Sequence, residues 1–160
     1  MPPPPRFCPQ CAEPLASVTG CKRCGWIHYF DPKVAVVVLA TDEHGRLLYV
    51  RRNHEPAMYE WAWPSGFVDA GERVEDAAVR EVREETGVEV EVEELLGVWS
   101  ATGEQVVLIA YRARAVAGAL RPGSEALAAA WHPLQPESRR PRTVFPHDAA
   151  VLRSFLGPER

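Results

Sequence analysis

The stretch Gly66 to Val88, GFVDAGERVEDAAVREVREETGV, constrains this chain more than any other part of it. Glu81, Glu84 and Glu85 stand at i, i+3 and i+4, a spacing that puts three carboxylates on one face of an α-helix. Val74, Ala78 and Val82, with Val79, give the same helix an apolar stripe that anchors it on a core. Like charges at helical spacing repel, so a helix built only for stability would avoid them. A divalent cation turns that repulsion into a binding site. Carboxylate oxygens suit a hard ion such as Mg²⁺, which binds protein carboxylates and substrate phosphates together. Arg80 is spaced to pair with Glu84 at i+4, and Gly66 and Gly71 bracket a tight loop. Glu72 is expected to open the helix, where the dipole favours a negative side chain. For the carboxylates alone, a solvated Glu/Arg face is the competing reading.

All four cysteines lie near the start, as Cys8-Pro-Gln-Cys11 and Cys21-Lys-Arg-Cys24. Each C-x-x-C pair supplies two thiolates, and two pairs complete a tetrahedral four-sulfur Zn²⁺ site. Four thiolates leave no open position, so the zinc is expected to be structural and to hold a segment too short to bury a core of its own. Two disulfides or a redox pair are the rival reading. His28 follows closely and is read as an ordinary residue. Arg6, Lys22 and Arg23 give the segment only slight basic character, and the whole chain carries a net charge of −4. That balance argues against nucleic acid as a partner.

A length of 160 residues suits one domain plus a small appendage, divided as a proline tail and ribbon over 1–32 and a second domain over 33–160. No segment approaches the ~20 apolar residues of a membrane span, and MPPPPRF lacks the pattern of a signal peptide, so a cytoplasmic protein without a membrane partner is expected. Trp26 to Pro32 joins the two parts; its aromatic residues either pack the ribbon or stack on an adenine. Lys33–Ala40 reads as a buried strand, Asp42–Gly45 as a turn and Arg46–Arg51 as a returning strand. Asn53–Glu60 is irregular, and Trp61–Pro64 runs extended into the glycine loop. Val88–Glu93 alternates with period two, Gly97–Ala101 continues the sheet, and Gln105–Ala117 and the region around Trp131 supply further strands. A closing helix is expected from Thr143, with Val151, Leu152, Phe155 and Leu156 as its stripe.

Gly66, Glu72 and Arg80-Glu81-Val82-Arg83-Glu84-Glu85-Thr86-Gly87-Val88 match the Nudix box without a mismatch, and the chain is identified by them as resembling the Nudix hydrolases. The resemblance implies an α/β fold, an α/β/α sandwich with a mixed sheet, here preceded by a small zinc ribbon. It implies hydrolysis of a nucleoside diphosphate linked to another group, with Mg²⁺ or Mn²⁺ held by Glu81 and Glu85, then Glu84, and by the Gly66 carbonyl. Such ions neutralise the diphosphate and acidify an attacking water. Arg80 orients the carboxylates, and Glu72 braces the loop. The general base varies in this family; Glu125 is the candidate and Glu104 its rival. Arg51 and Arg52, at a strand end before the substrate-side loop, are candidates for phosphate contact, with a surface pair as the alternative.

Ribbon plus box, with His28-Tyr-Phe-Asp-Pro-Lys33, resembles the NADH, FAD and ADP-ribose pyrophosphatases over residues 8–132. The SQPWPFP stretch of NADH pyrophosphatases is absent, and Thr102-Gly103-Glu104 stands where ADP-ribose pyrophosphatases carry a proline. The tyrosine of diadenosine polyphosphate hydrolases is also missing. The specificity positions are thus silent, and the resemblance as a whole favours an ADP-containing diphosphate such as ADP-ribose, FAD or NADH, cleaved to AMP and a second phosphate. A nucleoside triphosphate pyrophosphohydrolase, an RNA-cap hydrolase and a non-catalytic nucleotide sensor are the alternatives. A homodimer is the assembly expected of a small domain with an added ribbon.

Overall fold

The computed structural model describes residues 5–16, 19–134 and 140–157; the prolines at positions 2–4 of the expected tail lie outside them. The chain divides into two compact units, Met1–Pro32 and Lys33–Arg160.

In the first unit each C-x-x-C pair sits in a tight turn, closed by Ala12 N–H donating to Cys8 O and by Gly25 N–H donating to Cys21 O. The bridges Phe7–Pro14 and Gly20–Ile27 close two small hairpins behind the turns. The four sulfurs all lie within 4.8 Å of one another. Cys8 and Cys24 are 3.5 Å apart at sulfur and Cys11 and Cys21 are 3.7 Å apart, well beyond a disulfide bond. The arrangement fits a zinc ribbon. Backbone donors from Cys24 and Arg23 lower the Cys21 thiol to about 7. Cys11 is favoured as a thiolate by the Glu13 amide, yet desolvation and the three neighbouring sulfurs push it up to about 12. Sulfurs this close cannot all ionise without a cation among them. His28 stays out of the cluster, its ring 5.5 Å from Trp26 in a tilted contact and 4.3 Å from Phe30 in an edge-on one.

The second unit runs β1 (Lys33–Thr41), β2 (Arg46–Arg52), β3 (Trp61–Ala62), β4 (Ser65–Phe67), α1 (Val74–Thr86), β5 (Val88–Trp99), β6 (Val106–Gly118), β7 (Ala126–Pro133) and α2 (Asp148–Leu156). Its sheet has the order β3-β2-β1-β6-β5, with β4 added to β1 and β7 to β2. β1 lies parallel to β6, and the other pairs are antiparallel, so the sheet is mixed. The apolar run of β1 explains its central place, because both its faces are covered. Val36, Val38 and Ala40 pack with Ala77, Ala78 and Val82 of α1. Val37 and Leu39 pack with Trp63, Val151 and Phe155 on the α2 side. An α/β/α sandwich results, as the resemblance implies. Among the described residues no helix is long and apolar enough to cross a membrane.

β1 also positions the glycine loop. β2 pairs with β1 only at Thr41–Leu47, beyond the turn in which Asp42 accepts from the His44 and Arg46 amides. The edge this frees is taken by β4, in the register Ala35–Phe67, Val36–Gly66 and Val37–Ser65. Gly66 is thereby fixed beside the middle of the sheet.

Three elements differ by more than a residue from those read in the sequence. β5 is one strand from Val88 to Trp99, because register shifts after Glu89, Val92 and Leu95 absorb the residues that break its alternation. α1 begins at Val74, so Glu72 stands before the helix instead of opening it. α2 begins at Asp148 and not at Thr143, because Pro146 disfavours helical dihedrals at Phe145 and Asp148 folds back to accept the Phe145 amide at 2.8 Å.

Candidate active site

α1 presents its carboxylates to a cavity of about 1000 Å³. Arg80 joins the glycine loop to the helix. Its Nε and Nη2 donate to the two oxygens of Glu72 at 2.8 and 2.9 Å, a bidentate pair, and Nη2 also reaches Phe67 O at 3.0 Å. Nη1 donates to Glu81 at 2.7 Å and to Glu84 at 3.2 Å. The i+4 pair with Glu84 therefore exists, but Glu72 is the principal partner. Hydrogen bonds from Arg80 and the Asp69 amide hold the Glu72 carboxyl down at about 2. The same ion pairs raise Arg80 above its ordinary value.

Glu81 lies over the α-carbon of Gly66. A Cβ at that position would fall 2.1 Å from Glu81 Cδ and Oε1, so the glycine leaves the space the carboxylate fills. Burial raises the Glu81 carboxyl, Arg80 opposes the rise, and Glu84 and Glu125 add to it. Glu85 is 6% exposed and accepts the Ser65 amide at 3.0 Å. Burial pushes its carboxyl up to about 8; the Ser65 amide and the Arg52 charge pull it back, while Glu81 and Glu125 push it further. Glu84 is the outer member, with its side chain 54% exposed.

Glu125 reaches this group from the loop before β7. Arg121 N–H donates to Thr86 O at 2.7 Å and Gly123 N–H to Glu85 O at 2.8 Å, so the loop caps the end of α1. A Cβ on Gly123 would come within 1.9 Å of Glu84 O, which only glycine permits. Glu104 lines the cavity too, but its carboxylate lies 3.6 Å from His147 Nε2. Glu125 adds its charge to both Glu81 and Glu85. The arginine pair divides. Arg52 is 7% exposed and lines the cavity, with Phe145 5.3 Å from its guanidinium. Arg51 is exposed and donates to Tyr59 O, and it is not among the lining residues.

Sequence reasoning missed one wall, formed by Val106 and Leu108 of β6 and by Phe145 to Asp148 before α2. Asp148 is buried and its carboxyl raised by that burial, against the pull of the Phe145 amide. The Phe145-Pro146 step signals a turn, but nothing in the sequence says that this turn faces the carboxylates.

The donor set suits a hard divalent ion. Its atoms are all oxygens, they open on a cavity, and the buried Glu85 carboxyl, pushed up to about 8, is a group that a cation beside it would ionise. Among the described residues the four cysteine sulfurs lie within 4.8 Å of one another, whereas the box carboxylates are each tied to Arg80 or Ser65.

The sequence pattern of the NUDIX domain family matches residues 31–155. The chain belongs to the Nudix family of pyrophosphohydrolases. It is 33% identical over 132 residues to a protein named ADP-ribose pyrophosphatase from Methanocaldococcus jannaschii, covering 80% of this chain and 75% of that one. It is 34% identical over 122 residues to a protein named NAD-capped RNA hydrolase NudC from Pseudomonas aeruginosa, covering 73% of this chain but 43% of the relative. The Nudix chain thus spans less than half of that second relative. A crystal structure of a NUDIX hydrolase from Nitrosomonas europaea superposes with a TM-score of 0.78 at 28% identity, covering 92% of this chain and 88% of that one.

Proposed function

We propose that this Nudix enzyme hydrolyses the diphosphate of a nucleoside diphosphate joined to another group, with ADP-ribose, FAD or NADH favoured, releasing AMP and a second phosphate. The observation that carries the reading is the group of three carboxylates on one face of α1, lining a cavity of about 1000 Å³, within the range of nucleotide-sized sites. The similarity to a relative named ADP-ribose pyrophosphatase supports the choice of substrate. Glu81, Glu84 and Glu85, with the Gly66 carbonyl, would hold Mg²⁺ or Mn²⁺. When bound, such an ion supplies charge neutralisation at the diphosphate and a more acidic water.

The chain's own groups do the rest. Arg80 fixes Glu81 and Glu84 against the glycine loop, so that little reorganisation is left for the reaction. Glu125 accepts the proton of the attacking water as its oxygen bonds to phosphorus and the bridging P–O bond breaks. Arg52 places a positive charge beside the substrate. The Phe145 wall offers an aromatic face to a base. The diphosphate of an NAD-capped RNA is the same linkage, and the relatives named NudC support including it among the substrates tested.

With Mg²⁺ present, mass spectrometry of products from ADP-ribose, FAD, NADH, an NAD-capped oligonucleotide and common triphosphates should detect AMP from the ADP-containing small molecules, and nicotinamide mononucleotide with a 5′-monophosphate RNA if the capped oligonucleotide is cleaved. Chelation with EDTA should abolish its release. Release of pyrophosphate from triphosphates alone would overturn the substrate class. Nucleotide binding without turnover anywhere would replace the enzyme with a sensor.

In the ribbon, four thiolates would hold one structural Zn²⁺, whose binding energy in such small sites, roughly 10–16 kcal/mol, replaces a core. Elemental analysis should find one zinc per chain, and Cys11→Ser should lose it and unfold the first unit. Zinc-free protein with intact thiols would refute this.

A further inference from the structure

Asn53, just after β2, lies outside the box, yet it ties the Glu125 loop down by two hydrogen bonds. Its Nδ2 donates to Ser124 O at 2.7 Å and its backbone N–H to Glu125 O at 3.4 Å. Its Oδ1 lies 3.0 Å from His54 Nδ1, and His54 Nε2 lies 2.8 Å from Arg52 Nη2. These distances fix the protons. A guanidinium only donates, so His54 Nε2 accepts, Nδ1 carries the hydrogen and donates to Asn53 Oδ1, and the amide is left with its NH₂ toward Ser124. Flipping the amide would set oxygen against oxygen and donor against donor. The donors therefore run one way, from Arg52 through His54 and Asn53 to the Ser124 carbonyl. Arg52 is itself held, with Nε donating to Pro56 O at 2.8 Å. From the opposite side, Gly123 N–H holds the same loop to Glu85 O.

We propose that Asn53 is a positioning residue for Glu125: through this one-way chain Arg52 and His54 orient the Asn53 amide, which fixes the loop carrying the base against the end of α1. The proposal rests on Glu125 as the base. A carboxylate that takes a proton from water must stand within hydrogen-bond reach of it, and small displacements of such a group cost large factors in rate. Residues that orient a reacting group through one hydrogen bond typically contribute about 10–100-fold.

The test uses Asn53→Asp, Asn53→Ala, Glu125→Gln and the double variant Asn53→Asp/Glu125→Gln. Aspartate keeps the size and the bond from His54 but has no donor for Ser124; alanine controls for its added charge. AMP release is measured with Mg²⁺ and the best ADP-containing substrate of the panel. Both Asn53 variants should lower kcat about 10-fold or more, with KM changed less than about twofold. In the Glu125→Gln background the Asn53 change should cost nothing further. Amide hydrogen exchange at Gly123 and Ala126 should quicken in Asn53→Asp while the α1 interior keeps its rates. A purely structural role would instead lower melting temperature and add to the Glu125 loss. Full activity of both Asn53 variants, additive losses or unchanged exchange at Gly123 overturns the proposal and leaves the base assignment standing. Full activity of Glu125→Gln removes the base assignment and the proposal together.

Discussion

Glu85→Gln should lower turnover by about 10²–10³ or more, the scale of losing one preorganised charged group at a reacting centre, and should leave the protein at least as stable as before. The two effects come from the same feature. Glu85 is buried, and its carboxyl is pushed up to about 8 because the charge loses its water and faces Glu81 and Glu125. Glutamine has the same shape, keeps an oxygen for the Ser65 amide and carries no charge, so it removes an electrostatic cost of folding. An activity defect from unfolding would show the opposite sign in a thermal melt. Ligand binding to the folded state raises its stability by mass action, so Mg²⁺ should raise the wild-type melting temperature and raise that of Glu85→Gln much less. Near-full turnover in the variant, or an equal Mg²⁺ shift in both proteins, would remove Glu85 from the metal site.

Contiguity decides how much of the site was legible. The box lies within one stretch of chain, so helical spacing alone brings Glu81, Glu84 and Glu85 to one face, and apolar runs and alternation mark the strands, whereas the order β3-β2-β1-β6-β5 rests on long-range pairing that no periodicity specifies. Arg80 was half read. Spacing on a helix reveals Glu84, whereas Glu72 lies eight residues back across a loop whose path no periodicity specifies. Arg51 and Arg52 could not be separated, because β2 is buried on both faces over Leu47–Val50 and alternation then does not say which face opens on the cavity. The Phe145 wall was out of reach for another reason. It is a turn that depends on Pro146 and on the Asp148 side chain, far along the chain from the carboxylates it faces.

Gly66→Ala is expected to fold and to lose most activity. The Gly66 backbone does not lie in the left-handed region, so alanine carries no dihedral penalty there. What its Cβ meets is the end of Glu81, with Cδ and Oε1 at 2.1 Å and Oε2 at 2.3 Å. A flexible side-chain end swings aside at little cost to the fold, but here it is a carboxylate held at 2.7 Å by Arg80. Turning it away breaks that pair and shifts one oxygen donor of the group by more than a site of this kind tolerates, since misplacement of about 1 Å costs roughly 10²-fold. The melting temperature should fall by no more than a few degrees, as for a substitution outside the core. The decisive comparison is with Glu81→Ala, in which nothing stands over the glycine. If Gly66 serves only to make room for Glu81, Gly66→Ala should be silent in the Glu81→Ala background although it is costly in the wild type. Equal losses in both backgrounds would mean that the loop backbone at Gly66, and not the carboxylate lying over it, sets the requirement for glycine.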